Sequence, residues 1–319
     1  MSVIRCAAFR PRGAIHITDS APESIMSRPL RYPLVLLLAL FVSACSSTPE
    51  KPPVAVSKPP ARIALVLGGG AARGFAHVGV IKILEANQIK PDLVVGTSAG
   101  SLVGALYAAG YSGFDLQRIV LDMGQFDVFD LSLPDRGFVK GEKLQDFVNA
   151  KVRNRPIEAL PIRFIAVATE ARSGRRVDFA RGNAGQAVRA SSSIPGVFRP
   201  VAINGHEYVD GGVVSPVPVL AARAAGANFV IAVDISPDNT EVLASSLGVL
   251  NQSARIMGKR IAAEELKQAD VVIRPQVGEI GLVSFDRKNE AVMEGERAAL
   301  AALPAIRAGL ARFAPRQAT

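Results

Sequence analysis

A chain of 319 residues, 49% hydrophobic with a mean hydropathy of +0.25, can bury a sizeable core and is no disordered chain. Its net charge of +9 comes with no basic run interleaved with aromatics, which argues against a nucleic-acid partner and fits an anionic surface or head group. The two cysteines, Cys6 and Cys45, both precede the folded region, so that region has neither a disulfide framework nor a cysteine metal site.

The first segment along the chain is a leader. "RPLRYPLVLLLALFVSACSS" (28–47) has two arginines, an apolar run over 32–44, then small residues up to Cys45. The run is too short for a membrane span, which needs about 20 residues, and suits the apolar region of a secretory signal. "VSAC" resembles the lipobox of bacterial lipoproteins, in which the cysteine is lipidated and becomes the first mature residue. Residues 1–44 are therefore expected to be a leader and signal peptide, with Met26 as the expected true start. Ser46 in place of an aspartate favours the outer membrane, facing the periplasm. Five prolines between Ser46 and Ala61 exclude a helix or central strand there. Residues 45–61 thus read as lipidated Cys45 plus a semi-extended tether.

From Arg62, buried strands alternate with helices. Strands are predicted at 62–67, 92–96, 163–169, 229–235 and 271–275. Helices are predicted at 72–89, 101–110, 183–193, 217–225, about 244–268 and about 290–312. Continuous apolar strands alternating with helices imply an α/β domain with a mostly parallel sheet covered on both faces, spanning 62–316. "EARSGRRVDFA" (170–180) breaks this rhythm and reads as a hairpin turning at Ser173-Gly174. Residues 124–140 mix phenylalanines and leucines with Asp and Gly, as a surface loop or lid would.

Three motifs carry chemistry. "LGGGAARG" (67–74) lies between a strand and a helix, where glycines bring bare N–H groups close to an anion. That anion is either a dinucleotide pyrophosphate or the oxyanion of acyl transfer. The dinucleotide fingerprint fails in both registers, because Arg73 or Ala71 falls where a small residue or glycine is required. No dinucleotide or other cofactor is therefore expected, and the oxyanion reading is preferred. Arg73 either meets a substrate phosphate or is a helix-start arginine that is solvated or ties the loop. "GTSAG" (96–100) has the spacing of a nucleophile elbow. Ser98 projects from a strained strand-to-helix turn, and Gly96 and Gly100 remove side chains that would collide around it. The Ala99 N–H would point at the same oxyanion. "EYVDGG" (207–212) places Asp210 before Gly211 and Gly212, which alone reads as a turn.

An ordinary hydrolase triad needs a histidine after its acidic member. The three histidines are His16, in the leader, His77, beside the glycine loop, and His206, four residues before Asp210. None follows Asp210, so a carboxylate must take the serine's proton. Burial would raise its pKa and fit it for the task. Asp210, on a glycine turn, is the best candidate.

The ordered set "GGGAARG", "GTSAG" and "DGG", with "ASSSIPGVFRPV" (190–201) before the last, resembles the patatin-like phospholipase family. It is most similar to the bacterial branch related to the neuropathy-target-esterase catalytic domain. The resemblance covers roughly 63–225. It implies a three-layer α/β/α fold and metal-independent hydrolysis of membrane lipid or lysophospholipid esters. It also implies a Ser98–Asp210 dyad with an oxyanion hole from Gly68, Gly69, Gly70 and Ala99, and Arg73, Gly74, Gly96, Gly100, Gly211 and Gly212 as motif positions. GGGxxRG in place of GxGxxG is the one departure. The rival reading is a non-catalytic envelope lipoprotein that uses the fold for binding.

Overall fold

The computed structural model describes residues 59–124, 130, 137–236, 246–281 and 283–313, all within one compact unit, Ser57–Thr319. The leader, Cys45, most of the proline-rich linker and much of the 124–140 segment lie outside the described residues.

The core is an eight-stranded sheet with strands β1 (Ile63–Leu67), β2 (Leu93–Thr97), β3 (Arg163–Glu170), β4 (Arg176–Phe179), β5 (Val201–Ile203), β6 (His206–Asp210), β7 (Phe229–Val233) and β8 (Val271–Ile273). The order is β5-β6-β3-β2-β1-β7-β8, with β4 pairing β3 off this path. The run β3-β2-β1-β7-β8 is parallel, while β4 and β6 pair antiparallel with β3, and β5 with β6. The alternating apolar strands thus form the expected parallel centre. The hairpin expected at 170–180 is the β3–β4 connection, with Gly174 at φ +70 in its turn.

Side chains alternate across a strand, and the two faces of β1 show it. Leu65 and Leu67 join one buried cluster, and Ala64 and Val66 join another. The first cluster is capped by α1 (Ala76–Ala86), α2 (Ala99–Ala108), α3 (Gly113–Asp122), α4 (Glu142–Lys151), α5 (Ala184–Ser191) and α8 (Lys288–Leu310). The second is capped by α6 (Val219–Ala224) and α7 (Ser246–Leu266). The result is three layers, α/β/α. Two helices, α3 and α4, lie where none was expected; Ser112 and Asp115 form a reciprocal capping box that starts α3.

Helix α8 lies against α1 at very short range. A Cβ on Gly79 would stand 2.0 Å from the Val292 carbonyl oxygen, and one on Gly295 would stand 2.0 Å from that of Ala76. A Lys82–Glu296 ion pair flanks the crossing.

Candidate active site

The strand register assembles the site. Between Ala166 and Thr169, each residue of β3 has one neighbour on each edge. Val167 pairs with Thr97 of β2 and with Asp178 of β4, while the next residue, Ala168, pairs with Asp210 of β6 and with Val177 of β4. Strand β6 therefore continues the edge of β3 that β2 leaves, and Asp210 arrives one residue beyond Thr97. Ser98 follows Thr97 directly. Two motifs more than a hundred residues apart meet because both strands end on the same stretch of β3.

Ser98 has φ +55 and ψ −124, a conformation that costs about 1–3 kcal/mol in a non-glycine residue and persists only when its surroundings impose it. They do so here on both sides. The Ser98 N–H donates to the Ser191 Oγ at 2.9 Å, and that hydroxyl donates to the Val167 carbonyl at 2.6 Å. The Ser98 carbonyl accepts from the Ser101 N–H and hydroxyl at 2.8 and 2.7 Å. The Thr97 hydroxyl donates to the Ser215 carbonyl at 2.8 Å, tying β2 to the turn that follows Asp210. Side chains at the flanking glycines would collide: a Cβ on Gly96 would lie 2.3 Å from the Gly100 oxygen, and one on Gly100 would lie 2.1 Å from the Leu67 oxygen.

Asp210 is 6% exposed and Ser98 is 7% exposed. The Asp210 main chain is held by the Ser193 carbonyl, which accepts its N–H at 2.8 Å, and by the Thr169 hydroxyl, which donates to its carbonyl at 2.9 Å. Its Oδ1 accepts from the Gly212 N–H at 2.7 Å. Burial pushes the carboxyl up to about 6, and hydrogen bonding from the Ser98 side chain and the Gly212 N–H limits the rise. A Cβ on Gly211 would lie 2.2 Å from the Val167 oxygen, so only glycine lets the turn pass this close to β3.

The glycine loop wraps the nucleophile. A Cβ on Gly69 would lie 3.2 Å from the Ser98 Cβ, and one on Gly74 would lie 2.6 Å from the Ala99 Cβ. The expected oxyanion set is narrowed by what its amides already do. The Gly68 N–H donates to the Val233 carbonyl at 3.0 Å and the Gly69 N–H to the Pro216 carbonyl at 2.9 Å. Both serve the fold, whereas the Gly70 and Ala99 N–H groups take no partner among the described residues.

Neither described histidine has Ser98 as a partner. His77 is fully buried, with Nε2 2.8 Å from the Gly68 carbonyl oxygen, and burial pushes its pKa down to about 4. His206 has a side chain 59% exposed and lies 3.9 Å from Glu170. Arg73 is 6% exposed, not solvated, and its Nε donates to the Gly70 carbonyl at 3.2 Å. Beside Ser98 opens an apolar pocket lined by Leu102, Leu106, Leu116, Met123, Phe147 and Phe198, among others. The Ser191 and Thr97 side chains and the Ser215 main-chain carbonyl hold the elbow and the aspartate turn together, roles that the motif stretches around them do not announce.

A family model described as patatin-like phospholipase matches residues 65–223. An uncharacterized NTE family protein of Mycobacterium tuberculosis is 37% identical over 182 residues, which are 55% of this chain and 49% of that one. Lysophospholipase NTE1 of Yarrowia lipolytica is 36% identical over 188 residues, 56% of this chain and 13% of that one. Patatin-like phospholipase domain-containing protein 6 of Homo sapiens is 34% identical over 189 residues, 56% of this chain and 14% of that one. The match thus spans half or less of each relative. The crystal structure of VipD from Legionella pneumophila shares the fold, with a TM-score of 0.56 at 13% identity over 77% of this chain and 67% of that one. By its family match, its NTE relatives and its fold, the chain belongs to the patatin-like phospholipase family, on the side related to the NTE proteins.

Proposed function

We propose that the chain is a serine acyl hydrolase that cleaves carboxylic esters of membrane lipids through a Ser98–Asp210 dyad. The observation that carries this reading is a strained, buried serine facing a buried aspartate whose pKa is raised to about 6. A carboxyl of that pKa is largely ionised at neutral pH and is a far better proton acceptor than a free aspartate near 3.9. Ser98 Oγ attacks the ester carbonyl carbon as its proton passes to Asp210 Oδ. The tetrahedral oxyanion accepts hydrogen bonds from the Gly70 and Ala99 amides. Collapse breaks the bond to the leaving alcohol, which takes the proton from Asp210 and leaves an acyl ester on Ser98. Water then gives its proton to Asp210 and attacks that ester, and the proton returns to Ser98 as the fatty acid departs. The acyl chain lies in the apolar pocket beside Ser98. A pocket of that composition supports a lipid over a polar ester.

The domain works tethered to a bacterial envelope membrane through lipidated Cys45, most readily the outer membrane facing the periplasm. Among the described residues no helix is long and apolar enough to cross a membrane, so the tether reading rests on the leader sequence. The test is turnover of lysophospholipid and phospholipid by the full chain against Ser98→Ala, with fluorophosphonate labelling. Loss of both in a folded Ser98→Ala protein is expected. A parent protein that neither labels nor hydrolyses any lipid ester would instead favour a binding lipoprotein.

A further inference from the structure

Ser215 and Pro216, on the chain leaving the aspartate turn, touch all three motifs through main-chain groups. The Ser215 N–H donates to the Gly211 carbonyl at 2.8 Å, next to Asp210. The Ser215 carbonyl accepts from the Thr97 hydroxyl at 2.8 Å, next to Ser98. The Pro216 carbonyl accepts from the Gly69 N–H at 2.9 Å. Nucleophile, base and glycine loop thus share one two-residue junction, and their mutual geometry is only as firm as that junction.

A buried carboxylate holds it. Glu265, near the C-terminal end of α7, is 5% exposed and reaches the segment at two points. Its Oε1 accepts from the Ser215 hydroxyl at 2.5 Å, and its Oε2 accepts from the Leu220 N–H at 3.0 Å. Ser215 is fully buried, and each of its polar groups is committed in a different direction: N–H to the aspartate turn, carbonyl to β2, hydroxyl to α7. Burial pushes the Glu265 carboxyl up, and the hydrogen bonds from Ser215 and Leu220 oppose the rise. Its α7 neighbours Ala262 and Leu266 belong to the apolar cluster on that face. An apolar side chain at 265 would be buried there without desolvating a charge. What the carboxylate adds is direction, because short charge-assisted hydrogen bonds fix a partner's position and apolar contact does not.

Given the hydrolase reading above, on which this inference rests, we propose that Glu265 is a positioning residue for the reaction. Through Ser215 it sets the spacing of Ser98, Asp210 and the glycine loop, and it touches no reacting atom. Helix α7 lies beyond the stretch matched by the family model, so the alignment of the dyad is completed from outside the motifs.

The test compares the full-length parent with Ser215→Ala, Glu265→Leu, Glu265→Gln and the double variant Ser215→Ala/Glu265→Leu, with circular dichroism confirming each fold. Ser215→Ala and Glu265→Leu should lose roughly 10–100-fold in kcat for a lysophospholipid with KM nearly unchanged, the scale set by a displacement of about 1 Å. The double variant should be no slower than Glu265→Leu alone, because both substitutions break one linkage. Glu265→Gln should keep most of the rate: its amide oxygen accepts from Leu220, and the Ser215 hydroxyl reverses to accept from its NH₂. In amide hydrogen exchange, the Gly69, Gly212 and Ser215 amides should exchange about tenfold faster or more in Ser215→Ala and Glu265→Leu, with those of β1 unchanged. Parental kcat in both folded single variants, losses that multiply in the double variant, a Glu265→Gln protein as slow as Glu265→Leu, or unchanged exchange at the three amides overturns the assignment. If the parent hydrolyses no lipid ester, the hydrolase reading fails, and the exchange comparison alone decides whether Glu265 holds the three motifs.

Discussion

His77 places its Nε2 2.8 Å from the carbonyl oxygen of Gly68, and so fixes the first residue of the glycine loop from below. The imidazole is neutral at physiological pH, because burial holds its pKa near 4. Its Nε2–H therefore donates to the carbonyl, and it acts as a strut rather than a base. His77→Phe fills the same space but leaves the Gly68 oxygen unpaired. It should cost about 1–3 kcal/mol of stability and lower kcat more than it raises KM. Urea unfolding and steady-state kinetics check this; a folded His77→Phe protein wholly unable to turn over while still stable would make the histidine chemical.

The same burial gives a pH signature. The unfolded chain protonates His77 below about 6.5, and the folded one only below about 4. The unfolded state thus binds the extra proton in that window, so stability rises as pH rises through it, by at most about 3 kcal/mol. His77→Phe should flatten that part of the stability curve between pH about 4 and about 6.5.

Asp210 contributes with the opposite sign. Its folded pKa of about 6 lies above the ordinary 3.8, so between those values the folded state holds the extra proton. Stability from this group is present below about pH 4 and is lost as pH rises through 6, a cost of about 3 kcal/mol at neutral pH. Asp210→Asn removes that cost, so the variant should gain on the parent as pH rises from about 4 to about 6 and keep that gain above it, in paired urea melts. A stability gap that does not change with pH would mean that the carboxyl is not perturbed.

Activity should follow the same titration with a different reading. The base must be ionised, so kcat/KM for ester hydrolysis should climb with pH through about 6 and level off above it. Asp210→Asn should lose roughly 10²–10⁴-fold in rate while gaining stability, a combination a merely structural aspartate would not give. His206→Ala should leave the rate near that of the parent.

Ser191 bridges the Ser98 N–H and the Val167 carbonyl, so Ser191→Ala leaves two buried backbone groups unpaired. The expected loss is about 1–3 kcal/mol per group, with slower fluorophosphonate labelling as Ser98 relaxes from its strained turn. Thermal unfolding and labelling rates on the same preparation report both effects.

The parallel centre of the sheet and the helices flanking its long apolar runs are legible in the sequence, because hydrophobic runs and glycine punctuation are local signals. Helix α4 is not, since "EKLQDFVNAK" buries only Leu144 and Val148. Helix α3 announces itself only through the Ser112–Asp115 cap. Within the site, Ser98 and Asp210 stand out because glycines crowd each of them. The roles of the Gly68 and Gly69 amides do not, because their acceptors, Val233 and Pro216, lie far along the chain.

The stretch that carries the motifs ends at residue 223, yet β1 is hydrogen-bonded along its whole length to β7, which starts at Phe229. A fragment cut at that boundary would expose a bare apolar edge in the middle of the sheet, a template for aggregation. It would also strip from α1 the helix that Gly79 was shaped to receive. Any attempt to move this catalytic unit onto another scaffold must therefore carry the chain through α8, and chimeras joined at the motif boundary should be recovered as inclusion bodies.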